Sequence, residues 1–239
     1  MNICIIGTSH VSALQKSLTN KMRGKIQHDI TFFASPWPHL GPLDQNFYVK
    51  DECLYTNSEN VKKHFKFTSK KSDFIDPRNY DIFVLYGMFR IFLYDENKYS
   101  KEVLDMASKL YYSQNNRLVQ MISYFINLLR EISSKKIIIS FEPNFKRNWN
   151  DYNPVSKHGL YKKSIMLAKN FFMFENLEIF PQPYETIENE VFTSDKFAKG
   201  SPIIDLGEES HMIFPETDIM HMNELYGDIW WKNFLIYLK

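Results

Sequence analysis

A chain of 239 residues with 29 basic and 28 acidic side chains has a formal net charge of +1. This balance gives no electrostatic reason to expect nucleic acid or an anionic membrane surface as a partner. Hydrophobic residues make up 44% of the sequence and aromatic residues 16%, so the chain can bury a sizeable core. The length predicts one large α/β domain that spans residues 1–239.

The cysteine content and the apolar segments bear on the compartment. Cys4 and Cys53 are the two cysteines of the sequence, and a single pair does not make a disulfide framework. The chain enters its first apolar segment without a basic leader, and no segment approaches the roughly 20 apolar residues that span a bilayer. We therefore expect a cytoplasmic protein without a membrane span. The oligomeric state is left open.

Five short apolar segments without polar alternation follow one another along the chain, as expected for parallel strands that are buried on both faces. These segments are residues 3–6, 30–33, 82–86, 137–140 and 177–180. Segments with helical spacing of apolar residues lie between them and after the last one. The alternation predicts a three-layer α/β sandwich around a five-stranded parallel sheet, with the flavodoxin-like strand order 2-1-3-4-5.

Two segments interrupt this alternation. Residues 42–76 are polar and aromatic, and we interpret them as an inserted hairpin or excursion rather than a second domain. Residues 181–217 follow the fifth predicted strand and contain several prolines, which predicts a long loop. Long loops in compact domains often shape binding sites.

Ser9 comes directly after the first predicted strand, where the next helix is expected to begin. Ligands of open α/β sheets bind at the carboxyl ends of strands, and the N–H groups of a helix N-terminus can stabilise an oxyanion. The position therefore suits a nucleophile, although serine is also a favoured helix N-cap. The adjacent His10 should point elsewhere than Ser9, which favours a structural or substrate-facing role for it.

Asp218 and His221 stand just before the last predicted helix. An aspartate at this spacing can orient the histidine ring, so that the second ring nitrogen accepts a proton from a serine. The same pair could instead form a solvated turn in which Asp218 caps the helix. In the predicted topology the last helix packs beside the first strand, which would bring the pair close to Ser9.

Together these two segments resemble the SGNH (GDSL-type) hydrolase superfamily. Gly-Thr-Ser at residues 7–9 resembles its first block, Gly-Asp-Ser, and Asp-Ile-Met-His at residues 218–221 resembles its last block. The resemblance implies the hydrolysis of esters, including acetyl esters of carbohydrates, without a cofactor. It also implies that Ser9 is the nucleophile, His221 the general base and Asp218 the residue that orients it.

The middle blocks of the family are matched only in part. After the second strand the family usually has a glycine, and here a backbone N–H of Ala34 or Ser35 would have to complete the oxyanion hole. Gly87 after the third strand fits the family pattern, but Phe89 stands where an asparagine is expected. The loss of one oxyanion donor typically costs about 3 kcal/mol of transition-state stabilisation.

Arg90 and Asn144 are the candidates to replace the missing amide. Arg90 could instead bind a carboxylate or phosphate or form a surface ion pair, and Asn144 could be a turn residue. Trp37, between two prolines after the second strand, is our candidate for a carbohydrate contact. His211 lies near the Asp-His pair, but no metal-ligand spacing is present, and we expect no metal.

We therefore predict a serine esterase that hydrolyses small O-acyl esters such as O-acetyl esters, with a small molecule or a carbohydrate as the alcohol. Two alternatives stay open. The same three residues could transfer an acyl group from acetyl-CoA to a sugar hydroxyl, or the chain could be a non-catalytic carbohydrate-binding module. A role in surface-polysaccharide biosynthesis is a hypothesis from family analogy alone.

Overall fold

The computed structural model describes residues 1–22, 24–36, 39–40, 46–91, 100–113, 116–146, 160–172, 175–204 and 212–239. The helices are α1 (Val11–Ser17), α2 (Glu59–Ser69), α3 (Lys101–Tyr111), α4 (Arg117–Ile132), α5 (Leu160–Phe171) and α6 (Glu224–Tyr237). The strands are β1 (Asn2–Gly7), β2 (Asp29–Ala34), β3 (Phe47–Lys50), β4 (Cys53–Thr56), β5 (Ile82–Tyr86), β6 (Lys136–Ser140), β7 (Leu177–Phe180), β8 (Ile187–Glu188) and β9 (Phe192–Thr193).

Five strands form one parallel sheet in the order β2-β1-β5-β6-β7. The predicted α/β class and the five-stranded parallel sheet are therefore confirmed. Strands β3 and β4 pair with each other in a separate antiparallel hairpin, and β8 pairs with β9. With the hairpin strands left out of the count, the sheet order becomes 2-1-3-4-5.

The strands of the sheet are buried because both of their faces are covered by apolar side chains. Along β1, Ile3 and Ile5 belong to one hydrophobic cluster and Cys4 and Ile6 to another, as expected when successive side chains point to opposite faces. The first cluster includes side chains of α1 and α6, and the second includes side chains of α2, α4 and α5. The three-layer sandwich itself stays a prediction.

Helices α1 and α6 pack closely against each other. A Cβ atom added to Gly227 would lie 2.3 Å from the backbone oxygen of Ala13, so the two helices meet at a glycine. The Trp231 indole N–H donates to Leu14 O at 2.9 Å, and the hydroxyl of Ser17 donates to Asp228 at 2.6 Å. This packing brings the segment before α6 close to the segment before α1.

The two interrupting segments carry elements of their own. Residues 46–76 contain the hairpin β3–β4 and helix α2, and residues 181–204 contain the short strands β8 and β9. The side-chain oxygen of Thr68 on α2 accepts the backbone N–H of Ala34 at 3.0 Å, so this segment contacts the end of β2. In the described part of the chain, no helix combines the length and the apolar character needed to cross a membrane.

Candidate active site

Ser9, His221 and Asp218 form a continuous chain of side-chain hydrogen bonds. Ser9 Oγ lies 2.8 Å from His221 Nε2, although the two residues are 212 positions apart in the sequence. His221 Nδ1 lies 2.9 Å from Asp218 Oδ2. The structure therefore brings together the three residues of the two sequence motifs.

Ser9 lies in a tight turn between β1 and α1. Thr8 O accepts the N–H of Val11 at 3.1 Å, and Ser9 O accepts the N–H of Ser12 at 3.2 Å. Ser9 does not cap the helix, because His10 holds the N-cap position of α1 and makes no side-chain capping bond. The hydroxyl of Ser9 is thus left to interact with His221.

Asp218 is fixed by its own backbone neighbours. Its Oδ1 accepts the N–H groups of Met220 at 2.7 Å and His221 at 2.8 Å. Burial by itself would raise the pKa of Asp218, but these hydrogen bonds and the one to the His221 ring outweigh it and hold the pKa below its ordinary value. An ionised Asp218 accepts a hydrogen from Nδ1, which leaves Nε2 of a neutral His221 as the acceptor for the Ser9 hydroxyl.

Aromatic rings cover both faces of the His221 imidazole. The Phe214 ring stacks on it with centroids 3.7 Å apart and an interplanar angle of 5°. The His10 ring stacks at 4.9 Å and 23°. Burial, together with the nearby His221 and Arg90, holds the pKa of His10 well below its ordinary value, so His10 is neutral at neutral pH and stacks as an uncharged ring.

Gly87 makes room for this stack. Its φ is +66°, and a Cβ there would lie 2.9 Å from His10 Cβ and 3.0 Å from Thr8 Oγ1. Gly87 O accepts the Thr8 hydroxyl at 2.7 Å, and Gly87 N–H donates to Ser140 O at 3.0 Å. Gly87 therefore supports the Ser9 turn, and its own N–H is already used.

The expected oxyanion donors at the end of β2 are also already used. Ala34 N–H donates to Thr68 Oγ1 at 3.0 Å, and Ser35 N–H donates to Gly7 O at 3.1 Å. The β1–β2 pairing extends one residue past the strand, and α2 covers the remaining N–H; the role of Ala34 or Ser35 as an oxyanion donor stays a prediction. Ser9 N–H, by contrast, makes no hydrogen bond to any described residue.

Phe89 packs in the core, and Arg90 forms an ion pair with Glu142. The Phe89 ring is fully buried in the core, 5.6 Å from the Phe141 ring centroid. Arg90 Nη2 lies 2.5 Å from Glu142 Oε2, and its guanidinium lies 3.7 Å over the Phe145 ring. Burial raises the pKa of Glu142, which Arg90 partly offsets. Arg90 is thus paired with Glu142, while its Nε has no partner among the described residues, and its role as an oxyanion donor or an anion-binding residue stays a prediction.

No hydrogen bond among the described residues joins Asn144 to Ser9, His221 or Asp218. Asn144 is buried, and its backbone N–H donates to Gln182 Oε1 at 2.8 Å. Its side-chain nitrogen has no partner among the described residues. Its role as an oxyanion donor stays a prediction. Trp37 and His211 lie outside the described residues.

Sequence reasoning missed the residues that hold the Asp-His segment. Lys146 is buried, its backbone N–H donates to Ile219 O at 3.0 Å, and its Nζ donates to Glu216 O at 2.5 Å. These two bonds bind the segment that carries Asp218 to the loop after β6. No motif marks Lys146 or the stacking residue Phe214, because both act through tertiary contacts.

A cavity of about 380 Å³ lies at the opposite edge of the sheet, where β1 and β2 begin. Asn2, Asp29 and Asn79 are among its lining residues, and none of the three hydrogen-bonded residues is. In the described ranges, no group of three His, Cys, Asp or Glu side chains could hold a metal ion. At the carboxyl edge, the described residues joined by hydrogen bonds are a serine, a histidine and a carboxylate.

Comparisons with known proteins give a limited likeness. No family model matches the chain, and no curated protein matches it. The periplasmic domain of a lipopolysaccharide acetyltransferase from Salmonella ser. Paratyphi A is similar at 14% identity and a TM-score of 0.46, over 99% of this chain and 83% of that one.

A second similar structure is a carbohydrate esterase family 2 enzyme plus carbohydrate binding domain from Corynascus thermopiles (Myceliophthora fergusii). It shows 10% identity and a TM-score of 0.41, over 99% of this chain and 65% of that one. This chain thus spans just under two thirds of that structure. Both TM-scores are below 0.5.

Proposed function

We propose that this chain is a serine esterase of the SGNH type that hydrolyses small O-acyl esters, such as acetyl esters carried by a carbohydrate. One observation carries the proposal. Ser9 Oγ, the His221 ring and the Asp218 carboxylate are joined by hydrogen bonds of 2.8 Å and 2.9 Å. A nucleophile, a base and a residue that orients the base are thereby aligned in the order that acyl transfer needs.

In the first half of the proposed reaction, Ser9 Oγ attacks the ester carbonyl carbon while its proton moves to His221 Nε2. Asp218 stabilises the imidazolium that forms. When the tetrahedral intermediate collapses, the bond from carbon to the alcohol oxygen breaks, and that oxygen takes the proton from Nε2. The acyl group is then bound to Ser9 as an ester.

In the second half, a water molecule attacks the acyl carbon and gives its proton to His221 Nε2. The bond from carbon to Ser9 Oγ breaks, Oγ takes the proton back, and the carboxylic acid leaves. The same two residues therefore serve both halves, and no cofactor enters the balance.

The negative charge on the carbonyl oxygen needs hydrogen-bond donors. Ser9 N–H supports this role, because it has no acceptor in the described part of the protein and belongs to the residue whose Oγ attacks the carbonyl carbon. The turn before α1 also presents the positive end of that helix. We assign the first oxyanion donor to Ser9 N–H and leave the second donor unassigned.

The proposal is tested by labelling with a fluorophosphonate probe, which reacts with activated serine hydroxyl groups. We expect one label, on Ser9, found by mass spectrometry of the digested protein and absent in Ser9→Ala. Folded protein that takes no label would contradict an esterase and favour the binding module.

Hydrolysis and transfer are then separated by product analysis. We expect acetate release from 4-nitrophenyl acetate in water, at a rate that acetyl-CoA does not change. If acetate is released only slowly, and acetyl-CoA together with a sugar gives an acetylated sugar and free CoA, the chain is an acyltransferase instead.

A further inference from the structure

A second serine–histidine pair lies at the end of the neighbouring strand. Ser35 Oγ is 2.7 Å from His64 Nδ1. Ser35 directly follows β2, and its N–H donates to Gly7 O at 3.1 Å, so it lies beside the strand end that leads to Ser9. His64 is on α2, within the segment that interrupts the strand–helix alternation. The interrupting segment thus brings a histidine to the edge of the sheet that carries Ser9.

This second pair is not built as a nucleophile. Ser35 is fully buried, with 0% of its surface exposed, so its oxygen cannot reach a substrate carbonyl. Among the described residues, no carboxylate forms a hydrogen bond or ion pair with the His64 ring. The pair therefore lacks both the access and the oriented base that Ser9 has.

The hydrogen bond determines which nitrogen of His64 carries the hydrogen. His64 Nδ1 is the one partner of the Ser35 hydroxyl in the described part of the chain, and a buried hydroxyl needs an acceptor for its hydrogen. Nδ1 is then the acceptor. Burial, followed by the nearby His39 and Lys63, lowers the pKa of His64, so the ring is neutral at neutral pH and its hydrogen is on Nε2.

His64 Nε2–H is available to a ligand. His64 is half-buried, and its Nε2 makes no hydrogen bond to the described residues. The half-buried ring of His39 lies beside it, with ring centroids 5.6 Å apart and an interplanar angle of 59°. The backbone N–H of His39 donates a hydrogen bond to Pro36 O at 3.0 Å, which fixes the position of His39 in the chain turn.

We propose that His64 and His39 form a subsite for the hydroxyl groups of the carbohydrate whose acyl ester reacts at Ser9, with Ser35 as the residue that orients the His64 ring. This inference rests on the proposed function, because it locates the alcohol part of the same ester. The neutral His64 ring offers its Nε2–H as an uncharged donor, and the His39 ring beside it adds a second imidazole, which suits hydroxyl groups.

Direct binding tests the subsite without turnover. In the Ser9→Ala protein, the dissociation constant of methyl 6-O-acetyl-α-D-glucopyranoside is measured by calorimetry, before and after His64→Phe. The loss of one hydrogen bond should raise that constant about three- to tenfold. His28→Phe is the matched control, because His28 precedes β2 at the other end of the same strand, and it should leave the constant unchanged.

A second variant separates recognition from damage to the fold. His64→Gln retains one donor and one acceptor, so it should raise the dissociation constant less than His64→Phe at an equal melting temperature. Equal dissociation constants for the Ser9→Ala protein and for its His64→Phe and His64→Gln versions would overturn the proposal. So would an equal rise with His28→Phe, or no binding of the glucoside by the Ser9→Ala protein.

Turnover separates this proposal from the esterase proposal. In an active protein, His64→Phe should raise the KM for the acetylated glucoside several times more than the KM for 4-nitrophenyl acetate. Equal rises would overturn the subsite. If neither ester is hydrolysed, but the glucoside binds and His64→Phe weakens that binding, the esterase proposal fails and the subsite stands.

Discussion

Two serine–histidine hydrogen bonds of nearly equal length lie at the ends of neighbouring strands, and among the described residues only the His221 ring also contacts a carboxylate. The Ser9–His221 bond is 2.8 Å and the Ser35–His64 bond is 2.7 Å. His221 meets its serine through Nε2 and an aspartate through Nδ1, whereas His64 meets its serine through Nδ1. A short hydrogen bond between a serine and a histidine is therefore weak evidence that the serine is a nucleophile. The group that contacts the second ring nitrogen of the histidine is the better criterion.

The His221 and His64 rings also differ in how closely they are packed. The His221 ring is covered on one face by Phe214 and on the other by His10, which fixes its plane. The His64 ring has the tilted His39 beside it and stays partly open to solvent. A general base must keep its orientation through two proton transfers, while a binding group can adjust to its ligand.

The largest expected difference between the two pairs concerns the serines. Ser9→Ala should lower kcat for 4-nitrophenyl acetate by about 10⁶-fold, since it removes the nucleophile. Ser35→Ala should lower kcat by less than about tenfold and destabilise the fold by about 1 kcal/mol, since it removes one buried hydrogen bond. Rates and urea unfolding measure the two effects. Equal loss of activity in the two variants would abolish the distinction.

The next effect concerns the carboxylate that only the Ser9 pair has. Asp218→Asn should lower kcat by about 10⁴-fold, because an amide no longer fixes the His221 tautomer or stabilises the imidazolium. Asp81→Asn is the control, because Asp81 accepts the N–H of Asn2 at 2.7 Å at the opposite edge of the sheet. Steady-state rates of the two variants provide the measurement. An Asp218→Asn protein with the parent kcat would contradict the assignment of Asp218 as the residue that orients His221.

The smallest effect tests the stacking of the His221 ring. Gly87→Ala should destabilise the fold by about 1–3 kcal/mol more than Gly200→Ala, because its Cβ would meet His10 and Thr8. Gly200 has a similar φ of +68° but nothing within 4 Å of an added Cβ, so it isolates the backbone strain.

The Gly87→Ala protein should also lose about tenfold in kcat, the size of effect that a small displacement in an active site produces. Urea unfolding and initial rates of the two glycine variants provide the measurement. If both variants lose the same stability and retain the same kcat, the stack of His10 on His221 has no effect on the base.

The sheet and the two end motifs could be predicted because their signals are local. Each sheet strand is a short apolar segment, and the segments at residues 7–9 and 218–221 can be interpreted without knowing what surrounds them. The proximity of the two motifs could be predicted from the topology, in which the last helix packs beside the first strand. That prediction needed no side-chain detail.

The surroundings of the motifs could not be predicted because they depend on long-range contacts. The N–H groups of Ala34 and Ser35 donate to Thr68 Oγ1 and Gly7 O, respectively. Thr68 belongs to a segment whose sequence does not show the alternation of strands and helices. Phe89 turns into the aromatic core rather than toward Ser9. These outcomes depend on where α2 packs, which a single sequence does not indicate.

The packing of α6 on α1 also bears on when the contact between Ser9 and His221 can form. Ser9 and His221 are 212 positions apart, so their hydrogen bond forms only after the chain has closed a very large loop, and contacts of this kind form slowly. We therefore expect the reaction of Ser9 with a fluorophosphonate to return late during refolding, when this long-range contact forms. The recovery of the reaction would then report that the two ends of the chain have come together.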